Sequence, residues 1–159
     1  MSWRGSTTVP DRIFACLPYL LPLVEGIVFG SSLLRQFPIL GVLLLPVLPV
    51  ASVYNSLGPI GQIIVFFALF LLVVRNDKIS HFIRFNTMQA ILLDIVIFLC
   101  SILLRILVPV PGADFAIETL ANTIFLGILV SVAYSVFQSL MGRYAEIPAI
   151  SDAVHMQVR

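Results

Sequence analysis

Two acidic residues, Glu25 and Asp94, lie inside long apolar segments of the chain. Arginines flank both acids at helical distances of roughly 15–20 Å: Arg12 and Arg35 around Glu25, and Arg84 and Arg105 around Asp94. If each segment is a helix across a bilayer, the arginines reach opposite interfaces and both acids lie near the midplane. A carboxylate at that depth costs about 2.5–3.5 kcal/mol, so it must be protonated, hydrogen-bonded or in contact with water. The acids therefore predict either a polar path between the first and third helices or a pair of groups that fixes helix register.

Polar residues also mark the start of the segment that carries Asp94. Arg84, Asn86 and Gln89 precede the apolar run, and the spacing of Asn86 and Gln89 makes them neighbours on a helix. One interpretation is a helix start at the membrane interface, where Arg84 meets lipid phosphate. The other is a contact surface for another protein.

Small residues recur at helical spacing in two segments. They are Gly26 and Gly30 in the first, and Gly127, Ser131, Ser135 and Ser139 in the last. Such ridges let helix backbones approach closely and allow hydrogen bonds between helices. The pattern predicts helix packing within the chain, and the alternative is contact in a homo- or hetero-oligomer.

Composition places the chain among polytopic membrane proteins. Its 159 residues are 60% hydrophobic and 11% charged, whereas soluble domains are nearer about 45–50% apolar and about 25% charged. A net charge of +1 offers no basic patch to nucleic acid. His81 and His155 stand apart from other candidate ligands, so no metal site is expected. The sequence contains no hydrolase or phosphate-loop motif, and neither an enzymatic activity nor a cofactor is expected.

Four apolar segments are candidates for transmembrane helices, since a bilayer core of about 30 Å needs about 20 helical residues. They are residues 13–33, 59–74, 85–108 and 118–141. Residues 37–57 are also apolar but contain Pro38, Pro46 and Pro49, which would free backbone groups of a lipid-exposed helix. We therefore predict an all-α chain forming one membrane domain. It has four transmembrane helices, a proline-broken re-entrant or interfacial segment at 37–57 and a polar tail at 142–159.

The distribution of positive charge predicts how the chain is oriented. With four spans, one side of the membrane holds Arg4, Arg12, Arg75, Lys78, Arg84, Arg143 and Arg159. Arg35 and Arg105 lie on the opposite side. Because cytoplasmic loops carry the excess of Lys and Arg, both termini are expected to face the cytosol or, in a plastid, the stroma.

The segment ISHFIRFNTMQAILLDI, residues 79–95, resembles the Tic20 family. The similarity extends to CLPYLLPLVEGIVFG (16–30) and YAEIPAISDAVHMQV (144–158). This family comprises a membrane subunit of the chloroplast inner-envelope protein import translocon and its cyanobacterial and plastid-encoded relatives. The resemblance implies four transmembrane helices and, as partners, membrane lipid, other translocon subunits and precursor polypeptides in transit. The amino-terminal residues do not look like a transit peptide, which favours a cyanobacterial or plastid-encoded member.

Three functions follow as hypotheses. The first is a component of a protein translocation machinery that contributes to the conducting path. The second is a small-solute or proton transporter that uses the midplane acids. The third is an assembly subunit of a membrane complex, which packs through its small-residue ridges.

Overall fold

This computed structural model describes residues 6–159. That part of the chain contains six helical segments joined by turns and loops. They are α1 (Val9–Gln36), α2 (Pro38–Ser56), α3 (Gly58–Val74), α4 (His81–Leu107), α5 (Asp114–Leu140) and α6 (Ser151–Gln157). By length and composition, α1, α2, α4 and α5 could each cross a membrane. The prediction of an all-α chain with four such helices is therefore confirmed. Arg4, one of the predicted inner-side charges, lies outside the described residues.

The first helix, α1, is the element around which the others pack. It begins with a capping box, in which the Thr8 hydroxyl accepts from the Asp11 amide and the Asp11 carboxylate accepts from the Thr8 amide. Two 3-10 turns, Leu17–Tyr19 and Ile27–Gly30, interrupt its α-helical course. The first of them accommodates Pro18, whose ring would clash inside a regular helix. Half of the apolar window of α1 is buried, a larger share than in the other three long helices.

The segment predicted to be broken, 37–57, forms the helix α2. Its three prolines all stand at the first or second position of a helical piece, where a missing N–H is tolerated. The irregularity is confined to one 3-10 turn at Leu45–Val47. Gly58 then turns the chain into α3 with a φ of +66°, a conformation that other residues rarely adopt.

Helices α2 and α3 together return the chain to the end at which α1 begins. Val47 and Ala51 of α2 pack against Val24, near the middle of α1. The last part of α3, Leu69–Val74, is π-helical and packs on α4. By length and composition α2 could cross a membrane, and α3 is a shorter apolar helix. The predicted span at 59–74 stays a prediction.

Helices α4 and α5, of 27 residues each, pack with α1 around one core. Its buried members include Tyr19, Phe29, Ala90, Leu93, Ile97, Phe125, Ile128 and Val132. Helix α4 starts earlier than predicted, because the Ser80 hydroxyl caps it by accepting from the Ile83 amide. The starts of α1 and α4 and the end of α5 lie at the same end of the bundle.

The carboxyl-terminal segment folds back on the start of α4. The Tyr144 ring meets those of Phe82 and Phe85 edge-on, at centroid distances of 5.1 and 5.0 Å. Val154 and Val158 join Phe85 in a second buried cluster. The predicted polar tail is therefore anchored by apolar contacts.

Candidate functional site

Five buried polar side chains connect α1, α4 and α5. They are Tyr19 of α1, Asn86 and Gln89 of α4, and Ser135 and Ser139 of α5, and we call them the polar network. The Tyr19 hydroxyl donates to Asn86 Oδ1 at 2.8 Å and accepts from Gln89 Nε2 at 2.9 Å. The Ser139 hydroxyl donates to Asn86 Oδ1 at 2.9 Å, and Gln89 Nε2 donates to Ser135 Oγ at 3.4 Å. Because each member is at most 1% exposed, these bonds stand in for water and fix the three helices in one register.

The polar network corrects the interpretation of Asn86 and Gln89. The sequence predicted either a membrane interface or, together with Arg84, a contact surface for another protein. Both residues are fully buried and Arg84 is 9% exposed, because α1, α5 and the carboxyl-terminal segment cover the start of α4. Asn86 and Gln89 therefore have no exposed surface with which to contact another protein, and a contact role for Arg84 stays a prediction.

Arg84 secures the junction between α3 and α4. Its Nε donates to the carbonyl of Val74, the last residue of α3, at 2.8 Å. Its Nη2 lies 3.3 Å from the carboxylate of Asp77 in the connecting loop. A guanidinium fits this place because the last carbonyls of a helix have no partner within it and carry partial negative charge.

A second polar group lies where α1, α2 and α4 meet, and it contains both predicted acids. The Tyr54 hydroxyl of α2 lies close enough to the Glu25 carboxyl and to Asp94 for both acids to act on it electrostatically. Glu25 in turn acts electrostatically on Asp94. We call Glu25, Tyr54 and Asp94 the acid cluster. The structure thus brings the two acids together, while their functional role stays a prediction.

Asp94 carries a buried oxygen that lacks a partner. Its Oδ1 is shielded from solvent and accepts no hydrogen bond from any described residue. An unpaired polar atom in an apolar environment costs free energy, more so if it is charged. A proton, a water molecule or a polar atom of another chain would satisfy it. The acid cluster can therefore interact with something the chain does not itself supply.

An apolar groove runs beside the acid cluster between α1, α2, α3 and α4. It has a volume of about 460 Å³ and is lined almost entirely by hydrocarbon, including Leu21, Val24, Val50, Leu69 and Ile83. Tyr54 forms part of its wall. The groove can hold an apolar segment, and its wall contains one member of the acid cluster.

The small-residue ridges are only partly helix contacts. A side chain at Gly26 or Gly30 would collide with Ile128 or Phe125 of α5, so α1 and α5 touch there. In contrast, a Cβ at Gly127 would meet no atom within 4 Å. The packing prediction is therefore wrong for Gly127 within the chain.

The serines of the α5 ridge divide in the same way. Ser135 and Ser139 are fully buried members of the polar network. Ser131 is half-buried, and its role in packing stays a prediction. The ridge therefore serves as a contact at its carboxyl-terminal end.

Two tyrosines that carry these clusters were not among the predicted site residues. Tyr19 and Tyr54 stand in apolar segments, where a phenol hydroxyl must find a hydrogen-bond partner. A tyrosine inside an apolar segment therefore indicates a buried hydrogen bond, and this pattern would have identified Tyr19 and Tyr54 from the sequence. Among residues 6–159, no group of three or more His, Cys, Asp and Glu side chains could hold a metal ion.

Comparison with known proteins covers nearly the whole chain. Residues 7–154 match the family model described as chloroplast import apparatus Tic20-like. The chain belongs to the Tic20 family. The matched residues contain every member of the polar network and the acid cluster, and the resemblance at 79–95 is confirmed.

Members of the Tic20 family similar to this chain occur in cyanobacteria and in plastids. A Tic20 family protein of Synechocystis is 47% identical, covering 100% of this chain and 99% of its own. Protein TIC 20-II, chloroplastic, of Arabidopsis thaliana is 34% identical over 96% of this chain and 74% of its own. Tic20 family protein Ycf60 of Gracilaria tenuistipitata is 35% identical over 95% of this chain and 76% of its own. The family description and these names point to a protein import component rather than an enzyme.

Proposed function

We propose that this member of the Tic20 family is a non-enzymatic component of a protein translocation machinery. In this proposal, the apolar groove and the acid cluster contribute to the path of the translocating polypeptide. The observation that carries it is the groove itself, whose wall contains Tyr54 and which adjoins two mid-helix acids.

The two kinds of surface suit the two kinds of segment that a precursor contains. Hydrocarbon side chains of the groove can pack against an apolar segment within the membrane. A polar segment at the same depth needs hydrogen-bonding groups, because lipid offers none. Glu25, Tyr54 and Asp94 supply such groups, and each of the three side chains is only partly buried.

The proposed orientation has both termini on the cytosolic or stromal side of a cyanobacterial membrane or plastid inner envelope. It is supported by the excess of Lys and Arg in the amino-terminal region, the loop before α4 and the carboxyl-terminal segment. Proposed partners are membrane lipid, other translocon subunits, precursor polypeptides and further copies of this chain.

Neutralising the acid cluster should impair translocation without unfolding the protein. We expect Asp94→Asn combined with Glu25→Gln to slow precursor transport several-fold, since it removes the charge but keeps side-chain volume. Thermal stability in detergent should be unchanged or higher, because burying a neutral amide costs less than burying a carboxylate. Precursor accumulation in cells whose sole copy is the variant gives the rate.

The matched control for this variant is Asp114→Asn combined with Glu118→Gln. Asp114 and Glu118 are exposed acids in the first turns of α5, so the control removes the same charge away from the acid cluster. Transport at the wild-type rate by the Asp94 and Glu25 variant would contradict a role for the cluster in the path. It would favour an assembly subunit, which tolerates loss of these charges.

A second candidate function, proton or small-solute transport, is favoured by the unpaired Oδ1 of Asp94. It requires the purified protein in liposomes to carry a pH-dependent flux that Asp94→Asn abolishes. Wild-type liposomes with flux at the background level would remove this candidate and leave translocation in place.

A further inference from the structure

A polar pocket lies at the same end of the bundle as the chain's carboxyl-terminal segment. Its volume is about 410 Å³, and it is lined by Arg75, Asp77, Arg84, Met156, Gln157 and Arg159. The lining comes from the loop after α3, the start of α4, the end of α6 and the residues that follow it. We call it the arginine pocket. It is separate from the apolar groove and the acid cluster, and no residue is shared between them.

Charge in the arginine pocket is unbalanced. Three arginines face one acid, Asp77, which pairs with Arg84 at 3.3 Å. The Asp77 side chain is 91% exposed, so water weakens this pair. Neither Arg75 nor Arg159 has an ion pair with a residue of the described part of the chain. The pocket therefore retains positive charge that a bound anion can neutralise.

Arg84 gives the pocket a fixed donor. Its side chain is only 11% exposed, and its Nε is held by the Val74 carbonyl at 2.8 Å. A guanidinium in a fixed orientation loses little entropy when it binds, and its planar fork matches the oxygens of a phosphate group. Arg75 and Arg159 also line the pocket, and both are exposed.

The position of the pocket indicates where such a ligand comes from. It lies beyond the carboxyl end of α3 and at the first turn of α4, where these helices leave the apolar core. Phosphates of lipid headgroups are found at this depth, and arginines near helix ends reach them. The pocket is also polar and large enough to admit a phosphate group with associated water.

We propose that the arginine pocket binds a phosphate group, supplied by the headgroup of an anionic phospholipid or by free phosphate. Arg84 is the fixed donor, and Arg75 and Arg159 complete the site. Because Met156, Gln157 and Arg159 belong to the carboxyl-terminal segment, a bound phosphate also ties that segment to the loop after α3. This proposal does not depend on the translocation function.

Binding can be measured on the full chain in detergent. Native mass spectrometry measures how much phosphatidylglycerol or phosphatidylcholine stays bound to the protein. The unfolding temperature of the protein is then measured in the presence of each lipid. A parallel arm replaces chloride with inorganic phosphate at constant ionic strength. The test variant is Arg75→Gln with Arg159→Gln, which leaves Arg84 and its bond to Val74 intact. The matched control is Arg35→Gln with Arg143→Gln, two exposed arginines outside the pocket.

We expect the wild type to retain phosphatidylglycerol in preference to phosphatidylcholine and to unfold at a higher temperature with it. The test variant should bind about tenfold more weakly, since each charge-assisted bond contributes a substantial share of affinity, and the control should match the wild type. Stabilisation by inorganic phosphate as well would identify a free-anion site. Stabilisation by phosphatidylglycerol alone would identify a lipid site.

Two outcomes would overturn the proposal. One is a wild type that retains phosphatidylglycerol no better than phosphatidylcholine and that is no more stable in inorganic phosphate than in chloride. The other is an equal loss in the test and control variants, because general surface charge would then explain the binding.

Discussion

Replacing Gly30 with leucine is expected to destabilise the folded protein by about 3 kcal/mol, the upper end of the usual cost of overpacking a core. A Cβ at this position would lie 2.6 Å from ring carbons of Phe125. That ring is 1% exposed, within the core shared by α1, α4 and α5, and has no free space to enter. The variant should therefore separate α1 from α5. The unfolding midpoint in a denaturing-detergent titration measures the effect.

The matched control is Gly127→Leu, the same substitution on the partner helix. A Cβ there meets nothing within 4 Å. Glycine is a poorer helix former than alanine by about 0.8–1 kcal/mol, and leucine ranks just below alanine. This variant should be as stable as the wild type or slightly more so. Equal losses at both positions would show that α1 and α5 do not pack as described.

Replacing Asn86 with leucine should cost about 2 kcal/mol, since each buried polar group left unsatisfied costs about 1–3 kcal/mol. The change keeps side-chain size but removes the acceptor shared by Tyr19 and Ser139. In the variant, the Ser139 hydroxyl can donate to a carbonyl of its own helix instead. Tyr19 is only 1% exposed, so its hydroxyl cannot turn to water and retains only the hydrogen bond from Gln89. The midpoint of thermal unfolding in detergent gives the loss.

Asn55→Leu serves as the control for Asn86→Leu. Asn55 is an exposed residue of α2, so its side chain has nothing comparable to lose. Combining Asn86→Leu with Tyr19→Phe should cost less than the two single changes added together, because both remove the same bond. Strict additivity would contradict the hydrogen bond between Tyr19 and Asn86.

The membrane class, the number of helices long enough to cross a membrane and the approach of Glu25 to Asp94 could be predicted from the sequence. Apolar length identifies spans without knowledge of their neighbours. Depth along a helix follows from its constant rise, which places two acids flanked by arginines at similar levels. Glu25 and Asp94 then approach each other provided that α1 and α4 are in contact, and the two helices do pack together.

The burial of Asn86 and Gln89 could not be predicted in the same way. Asn86, for example, is hydrogen-bonded to Tyr19 and Ser139, which lie 67 and 53 residues away from it along the chain. Polar residues at a helix start are typical of a membrane interface, unless another segment covers them. Here the carboxyl-terminal segment and α5 do so, and sequence periodicity carries no information on that covering.

The ridge of small residues shows a limit of spacing arguments. A four-residue step advances about 40° around a helix, so three steps from Gly127 to Ser139 turn the ridge by about 120°. One end consequently lies in the core while the other is exposed. The prolines of α2 show a related limit, because three helix-breaking residues are tolerated when each stands in a first turn.

The central claim, that a translocating polypeptide passes beside the acid cluster, is tested most directly by site-specific crosslinking. A photoreactive phenylalanine analogue replaces Tyr54 in the wall of the groove or, as control, Val130, which is 68% exposed on α5. When a precursor is halted part-way through translocation, the analogue at position 54 should crosslink to it several-fold more often than the analogue at position 130. Capture of lipid alone at position 54, or equal capture of precursor at both positions, would contradict the claim.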